Sequence, residues 1–302
     1  MSGYQTEQKD HQTEKNRQQE AGSGYQTGER KGLRSDCHMH TEFSTDSDAP
    51  VRDMLEEAVR RGMDGVCITD HLDLDFPEDE GLGPDAFQLD LDRYFRTLTF
   101  LREVYRGRLD VRIGVELGLQ EHLGKAYQDI ARQHPFDFII GSLHLVGGTD
   151  PYNGEIFREH TDAEVYREAF LETARCLDAV EDFDALGHLD YVVRYGARKE
   201  EAYSYRRFAD EIDGILKRLI DSGKGLEMNM GGIRCGLGVP NPHPDVLKRY
   251  RELGGEIVTV GADAHRPEHV ALAFREGADI LRECGFRYYA EYIGRKPVFR
   301  KI

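Results

Sequence analysis

The sequence predicts an α/β chain closed into a TIM-like barrel of seven strands. Three features lead there. From Leu33 onward, strand-like and helix-like segments alternate along the 302 residues, which implies right-handed crossovers and a closed or nearly closed sheet. The strand-like runs are apolar almost throughout, as in a parallel sheet covered on both faces. Seven runs also end in a side chain able to bind a hard or borderline metal: Asp36-Cys37-His38-Met39-His40, Thr69-Asp70-His71, Gly114-Val115-Glu116, Gly141-Ser142-Leu143-His144, Gly187-His188-Leu189-Asp190, Glu227-Met228-Asn229 and Gly261-Ala262-Asp263-Ala264-His265. On strands, these groups stand at the carboxyl ends, the rim where α/β barrels build active sites from many strands. A doubly wound open sheet would also alternate, but its ligands would gather at one switch point.

In order, the expected strands are residues 35–40, 65–69, 111–116, 138–142, 185–188, 225–228 and 256–260. Between them, helical patterns cover 50–61, 90–105, 161–182, 203–222, 244–253 and 267–284, with a shorter piece at 124–133. The first helix opens on Pro50, suited to a first turn, and closes at Gly62. Residues 1–32 hold only Met1, Tyr4, Ala21 and Tyr25 as apolar or aromatic side chains and repeat Gly-Tyr-Gln-Thr twice. They offer too little surface to offset the entropy of ordering and are expected to be a disordered extension, with one barrel domain over 33–302.

The apolar fraction of 39% and charged fraction of 32% describe a globular, soluble chain. No run of about 18 apolar residues exists to span a membrane, and no secretory signal opens the chain. Five singly spaced cysteines fit a reducing cytoplasm. A formal charge of −16 disfavours nucleic acid as a partner, and buried cations would absorb part of that excess.

On a strand, side chains at i and i+2 share a face. Asp36, His38 and His40 are therefore expected to point together, with Cys37 turned away into packing. A carboxylate such as Glu116 can bridge two cations, each of which lowers the pKa of bound water, so that a hydroxide nucleophile exists at neutral pH. Glu116 and Asp70 are the expected catalytic carboxylates. Asp70 adjoins His71 and could orient it, give a proton to the leaving alkoxide, or cap a helix; the orienting role is the expectation. Asp190 could face the same rim or be a solvated cap. Arg194 and Arg234 follow two of the strands, where a guanidinium fork suits a phosphate dianion.

The segments Asp36-Cys37-His38-Met39-His40, Thr69-Asp70-His71, the lone histidines His144 and His188, and Gly261-Ala262-Asp263-Ala264-His265 resemble the motifs of the PHP superfamily of metal-dependent phosphoesterases. The surrounding segments most resemble its histidinol-phosphate phosphatases. The resemblance implies a distorted (β/α)7 barrel with three divalent metal ions (manganese, iron or zinc). By the same likeness, His38, His40, Glu116 and Asp263 hold the first ion, Glu116, His144 and His188 the second, and Asp46, His71 and His265 the third. Asp46 stands where many members have histidine, which shifts preference toward harder ions. The implied reaction is hydrolysis of L-histidinol phosphate, a small phosphomonoester. A PHP enzyme for another small phosphate or nucleotide, or a PHP barrel used only for interactions, are the alternatives.

Overall fold

The computed structural model describes residues 32–78, 83 and 86–302. The extension expected to be disordered therefore lies, apart from Gly32, outside the described residues.

The apolar runs form β1 (Ser35–Asp36), β2 (Gly65–Ile68), β3 (His71–Leu72), β4 (Asp110–Gly118), β5 (Phe138–Ser142), β6 (Ala185–Leu186), β7 (Gly225–Asn229) and β8 (Val258–Gly261). Neighbours run parallel in the order β1-β2-β4-β5-β6-β7-β8, and β3 resumes the line of β2 along β4. The sheet therefore has the seven strand positions the sequence predicts. It closes where Cys37 N–H donates to Val260 O at 2.9 Å and Met39 bridges Ala264 in parallel.

Around it run α1 (Val51–Arg60), α2 (Leu91–Tyr105), α3 (Gly124–Gln133), α4 (Asp162–Ala179), α5 (Ala209–Asp221), α6 (Pro244–Glu252) and α7 (Phe274–Glu283). Their starts are chemically marked. Asp90 accepts from Arg93 N–H at the head of α2, and Thr161 with Glu164 forms a reciprocal cap on α4; each such cap is worth about 1 kcal/mol. On α5, Ile212, Ile215, Leu216 and Leu219 are buried, the 3–4 spacing of a single apolar stripe laid on the sheet.

Inside the barrel, Cys37, Cys67, Phe138, Ile140 and Ala185 meet in a cluster separate from the main core. Side chains from such distant strands can touch only across a closed sheet. Cys37 is thus packing, as expected. The amino-terminal mouth is covered by an antiparallel hairpin, β9 (Tyr288–Ile293) and β10 (Lys296–Lys301), which the sequence reading missed. Tyr292 joins the inner cluster and stacks on Phe138 at 4.8 Å. Glu291 meets Arg112 at 2.8 Å with both side chains at most 5% exposed.

Two expectations fail locally. The helix expected over 267–284 is a 3-10 turn at Pro267–His269 followed by α7, because Ala271 and Ala273 adopt left-handed backbone with φ of 51° and 55°. The first strand ends at Asp36, so the period of two is lost before His38. Among the described residues no helix is long and apolar enough to cross a membrane.

Candidate metal centre

Every strand position carries a polar residue to the carboxyl-terminal mouth. Glu116, in the carboxyl-terminal half of β4, is at the middle, with His71 of β3 directly opposite in the register. Its Oε1 accepts from Ser142 Oγ–H at 2.6 Å and lies 3.2 Å from His144 Nε2 and 2.9 Å from His188 Nε2. Its Oε2 is buried without a hydrogen bond, 3.1 Å from His38 Nε2, 3.4 Å from His40 Nε2 and 3.2 Å from His71 Nδ1. One carboxylate thus presents its two oxygens to two separate groups of imidazoles.

The spacings suit cations. Ligand bonds of 2.0–2.1 Å in a tetrahedral shell place donor atoms about 3.3 Å apart. His38 Nε2 and His40 Nε2 are 3.1 Å apart, and Asp263 Oδ1 lies 3.9 and 3.5 Å from them. At the outer edge, Asp46 Oδ2 is 2.9 Å from His265 Nε2 and 3.7 Å from His71 Nε2, and the His40 ring stacks on both histidines at 4.2 Å. All nine residues expected from the resemblance come together. Glu116 Oε2, buried without a hydrogen bond inside a ring of imidazole nitrogens, fits an oxygen placed to ligate a cation.

The electrostatics agree. Burial alone would raise the Glu116 carboxyl, but the facing His38, His144 and His71 rings hold it well below the usual range. Asp263 is likewise held low against burial by His40 and Arg194. Burial, with His265 and His71 alongside, pushes His40 down to about 3, so it is a neutral donor.

Several side chains differ from expectation. Asp36 turns away from the His38 and His40 rings: its carboxylate accepts from the backbone N–H groups of Ala262, Ala271 and His38, at 2.9, 2.8 and 3.3 Å. Asp70 makes no hydrogen bond to the His71 ring and is fully buried. Its oxygens accept from Thr41 N–H, Thr41 Oγ1–H and Ser44 Oγ–H, and Ser44 Oγ lies 3.2 Å from His40 Nδ1. Asp70 thus acts on His40, through Ser44. Asp190 is buried on Asn241 Nδ2 and His243 N–H, away from the rim. Arg194 is not an open fork: Nε, Nη1 and Nη2 donate to Asn241, Asp263 and Asn229. Arg234, exposed at the surface, donates from Nη2 to Asp263 O at 2.9 Å.

Two functional candidates escaped the sequence reading. Asp73 Oδ2 is 2.5 Å from His144 Nδ1, and Asp73 groups with His71 and His144 as a further set able to hold a metal. Its place two residues after His71 was the available signal. Tyr191, with its ring 4.8 Å from that of His188, walls the cluster.

The PHP domain family model matches residues 36–231. A probable histidinol-phosphatase of Clostridium acetobutylicum is 32% identical over 87% of this chain and 95% of its own length. A histidinol-phosphatase of Lactococcus lactis is 30% identical over 86% of this chain and 95% of its own. The crystal structure of histidinol phosphate phosphatase from Lactococcus lactis, complexed with zinc, L-histidinol and phosphate, superposes with a TM-score of 0.80 at 28% identity, covering 88% of this chain and 99% of that one. With the motif residues gathered at one barrel mouth and these likenesses spanning nearly the whole barrel, the chain belongs to the PHP domain family, among its histidinol-phosphatases.

Proposed function

We propose that the chain hydrolyses L-histidinol phosphate to L-histidinol and phosphate at a centre of three divalent cations. The observation that carries this reading is the likeness to the Lactococcus lactis phosphatase whose crystal structure holds zinc, L-histidinol and phosphate. In this reading His38, His40, Glu116 and Asp263 hold the first cation. Glu116, His144 and His188 hold the second, and Asp46, His71 and His265 the third. The mixed imidazole and carboxylate donors suit manganese, iron or zinc. Cations there would lower the pKa of water and polarise phosphoryl oxygens, making hydrolysis feasible at neutral pH.

The chain's own groups do the rest. Ser142 donates to one oxygen of Glu116, which favours the carboxylate orientation in which its two oxygens face the two groups of imidazoles. Exposure rises from 0% at the His38 side chain to 20% at His265 and 40% at Asp46, so the phosphate enters on the Asp46 side. Arg194 and Arg234, both anchored on Asp263, bring positive charge to the dianion; each Nη of Arg194 has one N–H beyond those already used. Five free cysteines support a reducing, cytoplasmic setting, and the charge of −16 supports a small substrate rather than a nucleic acid.

A panel of phosphomonoesters assayed for phosphate release tests the substrate. L-Histidinol phosphate should exceed p-nitrophenyl phosphate in kcat/KM by on the order of 10³-fold or more, because a buried site built for polar groups rejects ligands that lack them. A nucleotide or sugar phosphate in first place would overturn the substrate and leave the centre standing.

A further inference from the structure

Of the seven polar strand ends, Glu227-Met228-Asn229 is the one to which the metal reading assigns no ligand. Its glutamate is nonetheless buried against the centre. Glu227 Oε1 lies 2.7 Å from His38 Nδ1, with the two side chains at most 1% exposed. Its Oε2 accepts from His188 N–H at 3.0 Å and from Asn229 Nδ2–H at 3.1 Å. A carboxylate only accepts, so His38 must carry a proton on Nδ1. That commits Nε2 to the opposite direction, toward Glu116 Oε2 and His40 Nε2, each 3.1 Å away.

The contact is built by a second strand. A Cβ on Gly261 would stand 2.2 Å from His38 Cβ and 2.7 Å from Glu227 Oε1. Only glycine at the end of β8 lets the ring and the carboxylate meet.

We infer that Glu227 is a positioning residue, fixing the tautomer and direction of His38 so that Nε2 is ready for a cation, and tying the His188 backbone to the same frame. The inference rests on the proposed metal centre and adds to it a residue that touches no cation. Partners of this kind are worth roughly ten- to hundredfold in metal affinity. Glutamine cannot replace the carboxylate despite its equal size. With its single oxygen toward His38, its amide N–H groups meet the N–H donors of His188 and Asn229. Turned the other way, it donates to Nδ1 and drives the His38 proton onto Nε2.

The test is Glu227→Gln, read by chelator competition with zinc, by the His38 Nδ1 proton resonance of the zinc-loaded protein, and by melting of the metal-free protein. The expected result is wild-type melting without metal, a roughly ten- to hundredfold loss of affinity at one site, and loss of the downfield Nδ1 proton. Unchanged affinity would overturn the inference, whether or not the metal-free protein melts lower. A wild-type protein that binds no zinc would instead overturn the metal centre itself.

Discussion

Arg194 Nη1 donates to Asp263 Oδ2 at 3.0 Å within a wall where neither side chain exceeds 6% exposure. The pairing leaves Asp263 Oδ1 as the oxygen that faces His38 and His40. In the proposed reading Arg194 therefore orients a ligand carboxylate in addition to its proposed role at the phosphate. Arg194→Ala should lower metal content at one site and reduce kcat/KM at least about tenfold, the scale of a lost charged hydrogen bond. Arg234→Ala, which loses only a bond to the Asp263 backbone oxygen, should lower kcat/KM with metal content unchanged. Elemental analysis beside steady-state kinetics separates the two.

Glu116→Ala should abolish turnover. Its two oxygens face different imidazole groups, so one truncation removes a donor from two sites. Protein purified without chelators should hold two cations fewer than wild type, or hold them loosely enough to lose on dialysis.

Asp46→Ala should be milder. Asp46 is the most exposed of the proposed ligands and faces His265 and His71 at the mouth. Loss of one cation and part of the rate is expected, with melting nearly unchanged. A collapse of all metal binding would show that the third site organises the other two.

At the opposite end, Glu291 joins the C-terminal hairpin to Arg112 inside the barrel. Glu291→Ala leaves that guanidinium with the more exposed Asp110 as its charged partner, beside Ser35 Oγ. Removing one partner of a buried pair costs about 3 kcal/mol, or roughly 6–12 °C in Tm for a domain of this size. The remaining folded enzyme should keep its turnover, since the change lies at the far mouth.

The sequence was most legible where one force acts alone. Apolar runs at parallel-strand spacing located all seven strand positions, and the polar residue closing each run marked the mouth where the ligands gather. Eight of the nine proposed ligands lie within four residues of a strand or inside one, whereas Asp46, ten residues past the first strand, was legible only through the family resemblance. The sequence failed where tertiary bonds override local preference. Alanine favours helix, yet Ala271 is held in left-handed backbone while its N–H is bound by Asp36. That one carboxylate explains both the broken helix and the failure of Asp36 to join His38. Asp73 and Glu227 were missed because a carboxylate near a histidine carries no mark of the ring nitrogen it will meet. Arg194 looked like a free fork because Asn229 and Asn241, its partners, are 35 and 47 residues away.

Titration of the metal-free protein with manganese or zinc, with phosphate release from L-histidinol phosphate followed at each step, tests the central claim most directly. The account predicts no turnover in the stripped protein and activity that rises with added cation to a plateau near three equivalents per chain. Full turnover by the stripped protein, or a plateau at one equivalent, would contradict it.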